Sequence, residues 1–403
     1  MVRRRLVTGL RRLLGQYPVV TLTGPRQAGK TTLCRQAVPE LPYVNLEAAD
    51  TREFAERDPR GFLARYPSGA ILDEVQRAPG LLSWIQVIVD EQRRNGMFVL
   101  TGSRQLLLDE KVTQSLAGRT ALLTLLPLSI AELHEFGVRP STDELIQTGF
   151  YPRIHDQHIE PARAHGDYVE TYVERDLRQL TQVRDLVTFR RFLGLCAGRV
   201  GQPFNASSLA NDAGISHTTA REWISVLEAS YVVFRLPPYF RNLGKRLMKS
   251  PKLYFCDVGL ASWLCGIEHA RQVATHPLRG AFFENLVVLE VLKQRYHSAR
   301  RPRLSFYRDS SGLEIDLVSE TGDGLIAIEA KAGATTTGRW FDGLRKFAEL
   351  VPEPMRARVL CYDGEPLGER EGATVVGPQG LEGLLDALDP EEEPDSSPPR
   401  SIP

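Results

Sequence analysis

Cysteine is scarce in this 403-residue chain, and its five copies (Cys34, Cys196, Cys256, Cys265 and Cys361) are dispersed without close pairs. That spacing excludes a zinc site and a disulfide framework, and it suits a reducing compartment. An excess of one charge is also missing, since 50 lysines and arginines meet 50 aspartates and glutamates. No whole-chain field therefore attracts nucleic acid, and any such affinity has to come from a local patch. Long apolar runs are absent as well. Nothing approaches the roughly 18 apolar residues of a membrane span, and the basic residues 1–16 lack the apolar core of a leader. The expectation is a cytoplasmic, soluble protein with no membrane contact. At 42% hydrophobic and 25% charged residues, the composition is that of a globular chain with room for two or three cores.

The densest signal is Gly24-Pro25-Arg26-Gln27-Ala28-Gly29-Lys30-Thr31, which fits G-x-x-x-x-G-K-[ST]. An apolar run (Val19, Val20, Leu22) leads in, and Thr32-Leu33-Cys34-Arg35-Gln36-Ala37 continues as a helix. At average glycine usage the fixed positions match by chance in about one chain of this length in a hundred. The glycines let backbone N–H groups curl around an anion at a helix N-terminus. Lys30 is expected to reach the β/γ phosphates and Thr31 to ligate Mg²⁺, so ATP and Mg²⁺ are the expected cofactors, held along residues 24–32.

Four more apolar runs follow at residues 43–46, 70–72, 97–100 and 121–126, separated by helical stretches. Strands alternating with helices predict an α/β unit with a parallel sheet covered on both faces. Ligands bind such sheets beyond the carboxyl ends of the strands. The third strand stops at Asp73-Glu74, where the first acid can hold Mg²⁺ and the second can polarise water as a general base. The fourth ends Thr101-Gly102-Ser103-Arg104, with Ser103 placed to sense the γ-phosphate and Arg104 a weaker choice. Arg119, just before the fifth strand, can supply transition-state charge in cis or from a neighbouring subunit.

In this order the phosphate loop, Ile-Leu-Asp-Glu-Val, Leu-Thr-Gly-Ser and Leu-Ala-Gly-Arg resemble the AAA-type branch of P-loop ATPases. Within it they look most like the bacterial and archaeal ATPases with a carboxyl-terminal domain of undefined role. The resemblance covers residues 15–135. It implies a phosphate-loop strand flanked by the strands bearing Asp73 and Ser103, and a helical lid in which Arg175 could reach the nucleotide. A small-molecule kinase also uses a phosphate loop, but the Asp73-Glu74 pair and the appended modules argue against it.

Further on, Ser207 or Ser208 is expected to cap a short helix, with Gly214 at a turn and Ser216 capping a second helix. Apolar residues Leu209, Ala213, Ile215, Ala220, Ile224 and Leu227 keep helix-turn-helix spacing. Residues 231–236 and the basic 241–249 segment read as a winged hairpin. His217, Thr218 and Arg221 would form the exposed face of the recognition helix, and Arg241, Lys245, Arg246 and Lys249 could meet phosphates. DNA is the expected partner, with protein docking the alternative use of such a fold.

In the last third a helix carries Glu284, a strand carries Glu314 and Asp316, and a third element ends Glu329-Ala330-Lys331. Alternate residues of a strand share a face, so Glu329 and Lys331 point the same way. If Asp316 faces them, two carboxylates and the Lys331 ammonium converge, a site that can bind Mg²⁺ and position a water. With Glu284 from the helix, the ordered set resembles the PD-(D/E)xK nuclease superfamily. The resemblance implies a restriction-endonuclease-like α/β domain in which Glu284, Asp316 and Glu329 hold a second Mg²⁺ or Mn²⁺ beside Lys331. The alternative is an ion-paired sheet edge without catalysis. The expected divisions are an ATPase domain (1–140), a helical linker (141–195), a winged helix (196–265), the nuclease-like domain (266–388) and a disordered tail (389–403). The expected activity is Mg²⁺-dependent ATP hydrolysis that controls a DNA-acting module, in a chain that can assemble with copies of itself.

Overall fold

The computed structural model of the protein describes residues 4–102, 116–174, 185–239 and 249–390. Its first sheet holds β1 (Val19–Thr23), β2 (Tyr43–Asn45), β3 (Ala70–Asp73), β4 (Phe98–Thr101) and β5 (Thr120–Thr124). All pairs are parallel, in the order β2-β3-β4-β1-β5. Strands β1, β3 and β4 are buried at every residue, as a sheet covered on both faces requires. Alternation divides them: Ile71 and Val99 pack under the helices Leu6–Gln16 and Lys30–Ala37, while Leu72 and Leu100 pack against Ile85 of the helix Leu81–Gln92. One expectation is corrected here. The phosphate-loop strand β1 lies between β4 and β5, and the strand of Asp73 stands one place further out.

Beyond Leu126 a smaller core around Tyr307, Phe341 and Phe347 packs separately, and the main apolar core draws on residues from Leu126 to Leu385. It includes the helices Ala206–Ala213 and His217–Ala229, joined through Gly214, whose φ of +72° suits glycine in the turn. Asn205, rather than Ser207 or Ser208, caps the first helix by accepting the Ser208 N–H at 3.0 Å. Ser216 caps the second, accepting from Thr219 at 3.0 Å. Trp223 anchors the pair, meeting Phe189 and Phe192 edge-on at centroid distances of 5.3 and 5.2 Å. Each contact of that kind adds about 0.5–1.5 kcal/mol to simple burial, so Trp223→Ala would unseat the helix. An antiparallel ribbon follows, made of β6 (Val233–Leu236) and β7 (Lys252–Phe255).

The last sheet contains β8 (Leu304–Arg308), β9 (Glu314–Thr321), β10 (Gly324–Lys331), β11 (Met355–Tyr362), β12 (Gly368–Arg370) and β13 (Ala373–Val376). Its order is β12-β13-β11-β10-β9-β8. Strands β8, β9 and β10 form an antiparallel meander, and the helix Arg339–Leu350 crosses over to β11, which runs parallel to β10. The helix Arg279–His297 leads into this sheet and buries most of its length. No helix among the described residues is long and apolar enough to cross a membrane.

Candidate functional site

The loop from Gly24 to Lys30 is shaped by three positive φ angles, at Gly24 (+146°), Gln27 (+62°) and Gly29 (+91°). Gly24 has no room for a side chain, since a Cβ would stand 2.1 Å from the Leu125 carbonyl oxygen. Lys30 opens the helix Lys30–Ala37, and its Nζ donates to the carbonyls of Gly24 (2.9 Å) and Pro25 (2.8 Å). Burial lowers this ammonium to about 8, with Glu74 and Asp73 opposing the shift. Ala28, at the loop's crown, is fixed from outside: Arg4 donates Nη1 to its carbonyl at 2.6 Å, Nη2 to Leu126 O at 2.7 Å and Nε to Glu132 at 2.9 Å.

Asp73 ends β3 with its carboxylate gripped on three sides. Thr31 Oγ1 and Tyr43 OH each donate to Oδ2 at 2.7 Å, and Thr101 Oγ1 donates to Oδ1. The Thr31 hydroxyl and the Asp73 carboxylate are hard oxygen donors of the kind Mg²⁺ takes, so these residues fit the ion. Glu74 follows in the left-handed region at φ +58°, a strained setting for a non-glycine residue. The Gln76 amide donates to its carboxylate, and its own N–H reaches Thr101 Oγ1 at 3.4 Å.

A cavity of about 520 Å³ opens onto these groups. Arg26, Gln27, Gly29, Lys30, Thr31, Thr32, Asp73 and Glu74 line one wall, and Phe136, Arg153, Asp156, Gln157 and Tyr172 from the following helices line the other. Tyr172 lies where the chain widens into a π-helical turn, Val169–Val173, and the Arg26 guanidinium sits 5.3 Å over its ring. Arg4, Tyr43, Thr101, Arg153 and Tyr172 escape a motif reading, because only folding brings them to the loop. The alternation Tyr43-Val44-Asn45 at the end of a strand was the one available hint.

Arg119 is placed elsewhere. Its carbonyl accepts from Val19 N at the amino end of β1, opposite the phosphate loop, and its side chain grips Asp90 at 2.6 and 2.8 Å. It therefore cannot serve the nucleotide of its own chain, which corrects the cis expectation. Ser103, Arg104, Arg175, Arg241, Lys245 and Arg246 lie outside the described residues. His217, Thr218, Arg221 and Lys249 are exposed.

Two polar links leave the loop. Thr23, the last residue of β1, shares a 2.6 Å hydrogen bond with the Tyr231 hydroxyl. Tyr231 follows the helix His217–Ala229 and is held at φ +55°. The second link runs from Arg4 through Glu132 to His297, whose Nδ1 is 3.9 Å from Glu132. Burial lowers His297 to about 4, against the pull of Glu132 and helped by Arg4, Lys293 and Arg5.

The carboxyl-terminal acids do converge, around more cations than expected. Lys331 contacts Glu329 and lies 3.7 Å from Asp316. Lys252 of β7, missed by the sequence reading, sets Nζ 2.8 Å from Glu284, 2.7 Å from Glu314 and 3.9 Å from Asp316. Tyr254 donates to Glu284 at 2.5 Å, and Ala330 N donates to Asp316 at 2.9 Å. Burial and Asp316 push Glu284 up to about 7 and Glu329 up to about 8. Among the described residues no group of three or more histidines, cysteines or acids has the arrangement of a metal site. The second metal expected at Glu284, Asp316 and Glu329 does not fit, because Lys252 already stands among three of the four carboxylates.

Residues 16–134 match the family described as AAA domain, so the amino-terminal unit is a P-loop ATPase domain of the AAA type. Residues 139–271 match a Domain of unknown function (DUF8612), and residues 279–378 match another (DUF4143). Among solved structures, the chain is similar to the Walker-type ATPase paby2304 of Pyrococcus abyssi. That match has 16% identity, covers 64% of this chain and 94% of that one, and has a TM-score of 0.43. AMPPCP-bound DnaA from Aquifex aeolicus matches at 18% identity over 56% of this chain and 86% of that one, with a TM-score of 0.30. Two curated proteins are each 34% identical over 368 residues, 90% of this chain and 80% of theirs: Uncharacterized protein Rv2008c of Mycobacterium tuberculosis and Uncharacterized protein Mb2031c of Mycobacterium bovis. With an AAA domain followed by the two further domains, the chain belongs to the family of these mycobacterial proteins.

Proposed function

We propose that the protein binds and hydrolyses ATP with Mg²⁺, and that its nucleotide state sets what the helix pair after the ATPase domain presents to DNA. Lys30 would turn from the Gly24 and Pro25 carbonyls to the β/γ phosphates. Thr31 and Asp73 would hold Mg²⁺, which when bound spreads the charge of the transferring phosphoryl group. Glu74, fixed beside Asp73, would take the proton of the attacking water. Arg153, which lines the same cavity, would supply positive charge to it.

The observation that carries the switching part is the Thr23–Tyr231 hydrogen bond. It joins the residue before the phosphate loop to Tyr231, two residues beyond the second helix of the pair. A change at the loop thereby has a route to His217, Thr218 and Arg221. The expected result is ATP turnover that duplex DNA alters in the wild type, and turnover lost in Lys30→Ala and Glu74→Gln. Wild-type turnover in those two variants would remove the mechanism.

Glu284 on a helix, Asp316 on β9 and Glu329 with Lys331 on β10 follow in the order that the nuclease resemblance implies, which supports a nuclease-like fold as a proposal. A second reading of its role is favoured by Lys252. In that reading the sheet is a catalytically silent scaffold, and the chain is a nucleotide-switched DNA- or protein-binding protein. Salt-dependent DNA binding without metal-dependent nicking is its expected signature.

A further inference from the structure

The acidic face of the last sheet is met by a cation that the sheet does not itself supply. Lys252 comes from the ribbon of the helix pair, its side chain only 3% exposed, and it bonds carboxylates from the helix Arg279–His297 and from β9. Its neighbourhood is built to hold it there. Tyr254, two residues along β7 and so on the same face, donates to the same Glu284 oxygen. The backbone of Lys252 pairs with Leu236 on one side and bridges Pro203 on the other. An ammonium donates three hydrogen bonds and carries one charge, whereas a divalent ion needs several oxygens at about 2.0–2.6 Å around it. With Nζ inside hydrogen-bond reach of Glu284 and Glu314, both positions cannot be filled together.

The groove beside the cluster points the same way. Its sheet acids are already paired, Glu314 with Lys252 and Arg308 and Glu329 with Lys331, which leaves little free carboxylate charge there for a divalent ion.

We infer that Lys252 takes the place a divalent metal would hold on this sheet, so that the acidic face latches the ribbon of the helix pair to the sheet instead of cleaving DNA. The inference deepens the second reading above and rests on it. It makes the helix pair and the sheet one rigid receiver of whatever the ATPase domain transmits.

The test is Mn²⁺ binding by the full-length protein without nucleotide, read by calorimetry and by the thermal midpoint. The wild type is expected to show no binding that depends on Asp316. Lys252→Met is expected to bind Mn²⁺ at least about tenfold more tightly, its carboxylates having lost their counter-ion, and Asp316→Asn in that background is expected to cancel the gain. Asp316-dependent Mn²⁺ binding by the wild type overturns the inference, and so does a folded Lys252→Met protein that gains none. A readout on the wild type stands if that variant does not fold. Amine acylation followed by mass spectrometry should leave Lys252 protected relative to the exposed Lys346, and Mn²⁺ should not change that. Deprotection of Lys252 by Mn²⁺ overturns the inference. The silent-scaffold reading has its own failure, Asp316-dependent nicking of duplex DNA by the wild type. A failed lysine test without nicking leaves that reading in place.

Discussion

Lys30 in the phosphate loop and Lys252 in the acidic seam are both withdrawn from solvent, at 7% and 2% exposure, yet their surroundings move them in opposite directions. Burial lowers Lys30 to about 8, because its nearest partners are two neutral carbonyls. Burial acts on Lys252 too, but Glu284, Asp316 and Glu314 outweigh it and raise the ammonium above its ordinary value. A buried ammonium that rests on dipoles gains a great deal when a polyanion arrives. One that touches carboxylates has nothing left to gain. The contrast separates a lysine suited to ligand binding from a lysine that replaces a ligand, and carboxylates near both would otherwise make the two sites look alike.

The comparison breaks most visibly at Lys252. Replacing it with methionine leaves buried carboxylates uncompensated and should cost about 3–5 kcal/mol of stability, read as a fall in the urea midpoint. An unchanged midpoint would mean that the seam is solvated. Lys30→Ala should cost about 3–4 kcal/mol in the barrier, a hundred- to thousandfold loss of phosphate release, with little change in fold. A variant that keeps its turnover would remove Lys30 from the chemistry. Tyr231→Phe deletes one hydrogen bond and should cost about 1 kcal/mol. Its sharper signature is ATP turnover that no longer responds to duplex DNA, while basal turnover persists.

The histidine at the end of the second link gives a pH test. Its value falls from the ordinary 6.5 to about 4 on folding, so the unfolded chain binds the proton first. Stability from this group is complete above pH 6.5 and drains away as pH falls towards 4. His297→Gln should flatten that limb of the urea-midpoint profile, and a profile identical to the wild type would exclude the histidine as its source. Smallest of all, Arg119→Ala should leave turnover of the dilute chain within about twofold, since its partner Asp90 is an exposed surface acid. A large loss confined to concentrated protein would show that Arg119 reaches a neighbouring copy.

Local pattern was enough for much of this. The phosphate loop announces itself because its glycines, lysine and threonine are contiguous. The helix Leu81–Gln92 and the strand ending at Asp73 follow from periodicity and from where apolar runs stop. Strand order did not follow, since periodicity fixes a strand's faces but not its neighbours, and β1 was assigned the wrong flank. Arg119 misled because nearness to a strand says nothing about which end faces the ligand. Lys252 was invisible for a different reason. It sits in an unremarkable strand, and only the docking of the ribbon onto the sheet gives it three acidic partners. Arg153 and Tyr172 are the same case at the other site.

The core shared by residues from Leu126 to Leu385 has a consequence for recombination. Exchanging parts between relatives, in the laboratory or by gene rearrangement, could not cut between the helix pair and the last sheet without opening a shared interior and stranding Lys252 from its acids. The unit that travels would have to be the whole block after the first sheet. It would carry Phe136, Arg153 and Tyr172 with it, and so would bring its own half of the cavity to whichever loop it joined.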